Sequence, residues 1–87
     1  MALEGRVWKF EFAVNDRVTI DMPEVIAFVG VGTQRPGHIC IWAVVRPETQ
    51  RREVTFHVRG TGHPVPLDFV PLGLVFDGTY VWHVFRQ

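Results

Sequence analysis

No stretch of ten or more residues in this chain repeats its apolar side chains with a helical period. Apolar and polar residues instead alternate over short runs, and Gly, Pro, Asn or Asp punctuates the chain between them. Alternation of period two puts every second side chain on one face of a strand. Val7 to Val14 sets Trp8, Phe10, Phe12 and Val14 on one face, with Lys9 and Glu11 on the other. Asn15-Asp16 suits a turn, because both side chains bond their own backbone and tolerate left-handed geometry. Arg17 to Met22 then returns with Val18, Ile20 and Met22 inward, so the two runs are expected to pair as an amphipathic hairpin.

Val25 to Gly32 and His38 to Arg46 are apolar on both faces and flank the turn Gln34-Arg35-Pro36-Gly37. Strands buried on both sides lie centrally in a stack or in a subunit contact, so this hairpin is the expected oligomer interface. After a polar loop from Pro47 to Arg52, Glu53 to Arg59 alternates again: Val54, Phe56 and Val58 face in, while His57 and Arg59 face out. Phe69 to Phe76 reads as a strand interrupted by Pro71 and Gly73, which marks an edge or a bulge. Asp77-Gly78 is a hairpin signal, and Thr79 to Arg86 is the last run, with Tyr80 and Trp82 on one face. The expectation is a single all-β domain spanning 1–87. It is a small sandwich or barrel of about seven short, mostly antiparallel strands joined by hairpins.

A chain of 87 residues buries only about 60% of its unfolded surface, yet 47% of this one is hydrophobic, with seven Phe and three Trp. That surplus is expected to surface as a patch for self-association or ligand contact, in a homo-oligomer. Nine basic residues balance nine acidic ones, which removes the excess positive charge that non-specific nucleic-acid binding requires. One cysteine, Cys40, leaves no intramolecular disulfide, and neither a signal peptide nor an apolar run long enough for a bilayer is present, so a cytoplasmic protein is expected.

Catalytic chemistry has little to stand on. Serine is absent, Cys40 lies in an apolar strand that disfavours a thiolate, and Asp68 and Asp77 border turns where Asp is ordinary. The four histidines and Cys40 match no zinc spacing, so no metal and no cofactor is expected. The stretch that invites function is Arg59-Gly60-Thr61-Gly62-His63-Pro64. Two glycines around a hydroxyl residue let the backbone turn tightly, and successive amides in such a turn can cradle an anion beside Arg59 and His63. It matches neither the phosphate-loop nor the dinucleotide fingerprint, and the plain alternative is a structural turn ending a strand. Of the nine basic residues eight are Arg, which suits bidentate recognition of carboxylate or phosphate. Arg35 joins the candidate set on that ground, and Trp42 and Trp82 join it as stacking platforms for a base.

Trp8-Lys9-Phe10, Gly60-Thr61-Gly62-His63-Pro64 and Val81-Trp82-His83-Val84-Phe85, in this order along nearly the whole chain, resemble a family of short uncharacterised proteins encoded by bacteriophages and prophages. The resemblance brings no activity and no functional residue. It implies a setting, that of an accessory protein in the cytoplasm of an infected bacterium. Two expectations follow. One is a non-enzymatic protein that binds a small anionic, nucleotide-type ligand and sequesters a host immune signal. The other is a protein–protein interaction module, an inhibitor of a host protein or a minor virion component, with no small-molecule ligand.

Overall fold

Each alternating run becomes a strand whose apolar face needs a cover, and the chain supplies it by building two sheets that face each other. The computed structural model describes residues 4–87. Seven strands follow in order: β1 (Arg6–Ala13), β2 (Arg17–Met22), β3 (Glu24–Gly32), β4 (His38–Arg46), β5 (Arg52–Gly60), β6 (Val70–Asp77) and β7 (Tyr80–Arg86). One sheet has the order β1-β4-β3 and the other β2-β5-β7-β6, with all neighbours antiparallel.

The core lies between them. Phe12, Ile39, Ile41, Ala43 and Val45 of the first sheet meet Met22, Phe56, Val58, Val75 and Val84 of the second. Phe56 is the largest fully buried side chain, with Phe12 stacked at 6.3 Å and Phe28 edge-on at 5.9 Å between ring centres.

The expected β1–β2 hairpin does not form. Val14 donates its amide to Gly37 at 2.9 Å and Asp16 accepts from the Val58 amide at 3.1 Å, so residues 14–16 carry the chain from one sheet to the other. Two strands with one apolar face each can bury those faces by lying opposite as well as side by side, and alternation does not distinguish the two. True hairpins join β3 to β4 and β6 to β7. The β6–β7 loop is Gly78-Thr79, one residue later than the Asp77-Gly78 reading. Gly78 alone has positive φ (59°), the pattern of a type II′ turn with glycine first.

The β3–β4 pair also divides. β4 is central and its Ile39, Cys40 and Ile41 are fully buried, whereas β3 is an edge strand with register shifts at Val25/Ala27 and Phe28/Gly30. Those bulges turn Ile26 and Val29 outward, 51% and 62% exposed. The reading of β6 as an interrupted edge holds, with a bulge between Pro71 and Gly73. Glycine is required there: at φ 151° a Cβ on Gly73 would stand 2.9 Å from Val31 Cγ2 on the facing β3. His57 points to the outer face as expected but is only 7% exposed. The connector after β5 folds back over it, stacking Phe69 on its ring at 4.0 Å, and Gln87 Oε1 lies 3.1 Å from its Nε2.

Candidate functional site

The glycine stretch ends β5 in a closed turn. The His63 amide bonds the Gly60 carbonyl at 3.2 Å, and Gly62 sits third in that turn at φ 89°, as a type II turn requires. Arg59 is already committed. Its Nε donates to the Pro64 carbonyl at 3.1 Å, and its Nη1 donates to the carbonyls of Asp16 at 3.1 Å and Val58 at 3.0 Å. Its guanidinium also lies over Phe69 at 5.9 Å. Thr61 Oγ1 and His83 Nε2 are 2.8 Å apart. What remains open is a shallow hollow between Asp16, His63 and Pro66. This end of the sandwich is stitched shut, since Gly37 also donates its amide to Asp77 Oδ2 at 3.0 Å.

The other sequence candidates lie elsewhere. Arg35 and Trp42 share the outer face of the β1-β4-β3 sheet. Arg35 pairs there with Glu11 at 3.3 Å, and the Trp42 ring lies across Gly32. Trp82 belongs to the inner face opposite Gly60, stacked on Tyr80 at 5.4 Å, with its indole nitrogen buried and unpartnered. So the structure brings Arg59, Gly60, Thr61, Gly62 and His63 together with Trp82 nearby, and separates Arg35 and Trp42 from them.

On that outer face Cys40 is fully buried beneath Glu11 and Gln34, its thiol 3.6 Å from Glu11 Oε2. Burial, then the Glu11 carboxylate, push the thiol up from its ordinary range. Glu11 itself is pulled both ways: desolvation raises it, but the Arg35 guanidinium, the Cys40 hydrogen bond and Lys9 together leave it below the usual carboxylate value. The thiolate is the reactive form, so folded protein is expected to resist iodoacetamide at mildly alkaline pH. One equivalent should react on unfolding in guanidinium chloride; rapid labelling of the folded chain, read by mass, would contradict this placement.

At the opposite end lies a cleft of about 860 Å³ between the start of β3 and the facing ends of β5 and β7. That volume falls in the range of about 300–1,000 Å³ typical of small-molecule sites. Val25, Phe28 and Val54 provide apolar wall, and Arg52 and Arg86 stand in it. Arg52 lies opposite Met22 and Arg86 opposite Phe56, each in the inward phase at the end of its own strand. Among the described residues the side-chain ion pairs are Arg35–Glu11 and Arg46–Glu24, so neither cleft arginine pairs with an Asp or Glu side chain; Arg86 Nη1 donates only to the main-chain oxygen of Gln87, at 3.5 Å. Glu24 is drawn to Arg46 at 4.0 Å, and its amide is capped by Thr49 Oγ1 at 2.7 Å.

These residues carry a sequence signal that motif reading passes over. Arg52 is in step with Val54 and Phe56, and Arg86 with Val84 and Trp82. An arginine in the apolar phase at a strand end must either be paired or face an opening. No group of three His, Cys, Asp or Glu side chains that could hold a metal occurs among the described residues.

One family model, described as Domain of unknown function (DUF7352), matches residues 4–87. No curated protein and no solved structure matches the chain.

Proposed function

The chain belongs to the DUF7352 family, and we propose that it is a non-enzymatic binding protein that captures a small anionic, nucleotide-type ligand in the cleft between β3, β5 and β7. The observation that carries this reading is the pair of arginines that no Asp or Glu side chain neutralises among the described residues, Arg52 and Arg86, beside an apolar wall. Guanidinium groups bind phosphate and carboxylate through two parallel N–H donors, which suits an exposed Arg52 and a half-buried Arg86 at one cleft to such groups. Phe28 and Val54 offer an apolar surface for the rest of the molecule. The glycine turn, whose arginine is bound to backbone carbonyls, serves the fold in this reading. The resemblance to phage-encoded proteins supplies the setting. Inside an infected bacterium a protein that holds a nucleotide signal without transforming it lowers the free signal and so blunts a host defence.

The test is native mass spectrometry with a pool of linear and cyclic nucleotides, followed by titration of any species that binds. Charge-assisted hydrogen bonds contribute about 1.5–3 kcal/mol each. Arg52→Ala with Arg86→Ala is therefore expected to weaken binding by about a hundredfold or more while leaving the melting temperature near that of the parent. A parent protein that binds nothing across the pool would overturn the reading.

A second reading rests on a different surface. Leu74 and Phe76 are 49% and 70% exposed on the outer face of the edge strand β6. Such apolar exposure on an edge strand suits docking on a host or virion protein. Binding to a protein partner that Phe76→Asp abolishes, and that the arginine variants leave unchanged, would favour it.

A further inference from the structure

The four outer strands of the two sheets are not equivalent. β3 is bulged twice, β6 is broken at Pro71/Gly73, and β2 has six residues. β1 is different. Its eight residues pair with β4 in unbroken register from Arg6 to Ala13, it contains neither proline nor bulge, and among the described residues no strand pairs with its other side. An open, regular strand edge is a template for another strand, and proteins that avoid such pairing interrupt the edge or place repelling charge on it.

The charges on β1 do the reverse when the strand meets itself. About a two-fold axis at Phe10, antiparallel pairing sets Lys9 opposite Glu11 of a second copy and Glu11 opposite its Lys9. On the other face Phe10 meets Phe10, and Trp8 meets Phe12. Opposite charges and aromatic pairs directly across an antiparallel ladder both stabilise it. Trp8 and Phe10 are both only partly buried within one chain and pack against the core from its rim. Lys9 Nζ holds Gln34 Oε1 at 2.8 Å, which leaves two of its three N–H donors free. Glu11 accepts from Arg35 and Cys40 with lone pairs to spare.

We infer that the protein is a two-fold homodimer joined through β1, which makes one six-stranded sheet β3-β4-β1-β1-β4-β3 from two copies. The occupant of this edge is a second copy of the chain, because the order Lys9-Phe10-Glu11 is complementary to itself when reversed. The contact differs from the β3–β4 hairpin that the sequence suggests, and it stands independently of ligand capture, since the cleft is lined by β3, β5 and β7. β2 carries a comparable pair, Arg17 and Asp21 about Thr19, so the test is confined to β1.

Sedimentation or light scattering should show a dimer for the parent. K9E alone and E11K alone each place like charges opposite one another and are expected to raise the dimer dissociation constant by about tenfold or more. The double variant K9E/E11K is complementary again and should recover the dimer. An equimolar mixture of K9E and E11K should give a heterodimer in native mass spectra, in preference to either homodimer. Circular dichroism melts of all four proteins establish that each is folded. A monomeric parent, or single variants that dimerise as tightly as the parent, would overturn the proposal.

Discussion

Phe56→Ala is expected to remove about 3–5 kcal/mol of stability, the range for truncating a fully buried phenylalanine. A domain of this size holds about 4–13 kcal/mol in all, so the variant stands at the margin of folding. The reason lies in where the ring sits. Phe56 comes from the central part of β5, is fully buried, and touches Phe12 of β1 and Phe28 of β3 across the sandwich. Its removal opens a cavity in contact with both sheets, and the strands around it are tied by their own ladders and cannot collapse into the space. Urea titration would measure the loss, and Phe56→Leu, which keeps most of the volume, should cost less than half as much. A loss below about 1 kcal/mol for the alanine variant would show that the two sheets do not meet at this ring.

Arg59→Ala should be the most destabilising change outside the core, at about 2–3 kcal/mol. Its guanidinium gathers three carbonyls that no other side chain reaches: Asp16 in the sheet-to-sheet crossing, Val58 in β5 and Pro64 in the connector. Hydrogen bonds from a charged donor contribute about 1.5–3 kcal/mol each, reduced here because water can replace part of them. Arg59→Lys should recover little, since one ammonium cannot hold the planar fork. Limited proteolysis gives a second signature, faster cleavage between Gly62 and Phe69 once the strap over His57 loosens. Unchanged stability together with lost nucleotide binding would move the ligand to the glycine turn.

Most of the strand pattern is legible in the residues because alternation is a local property. Val18, Ile20 and Met22 face the core as their spacing says, and Pro71 with Gly73 announces the broken edge of β6. Pairing is not local. Nothing in Val7 to Met22 separates a hairpin from two strands that face each other, and the crossing shows only in bonds to Gly37 and Val58, far along the chain. His57 illustrates the same limit. Its outward phase is correct, but Phe69 covers it from twelve residues away. The candidate site was hidden for a related reason. Gly60 to Pro64 draws the eye because turn chemistry is written in short motifs, whereas Arg52 and Arg86 are brought to one cleft by the register of β5 against β2 and β7.

The bonds at the glycine end of the sandwich also set how the molecule can move. Val14, Gly37 and Asp77 are linked in series across both sheets, and Asp16 is tied to β5, all near the same end. The far end, where β3 begins and β7 finishes, has the cleft instead. That end is held as well, because the chain crosses between the sheets there twice, at Pro23 from β2 to β3 and at residues 47–51 from β4 to β5. With one end fastened by hydrogen bonds and the other by the chain itself, the two sheets cannot part like jaws, and the anion proposed for Arg52 and Arg86 would enter a cleft already shaped rather than one that closes on it.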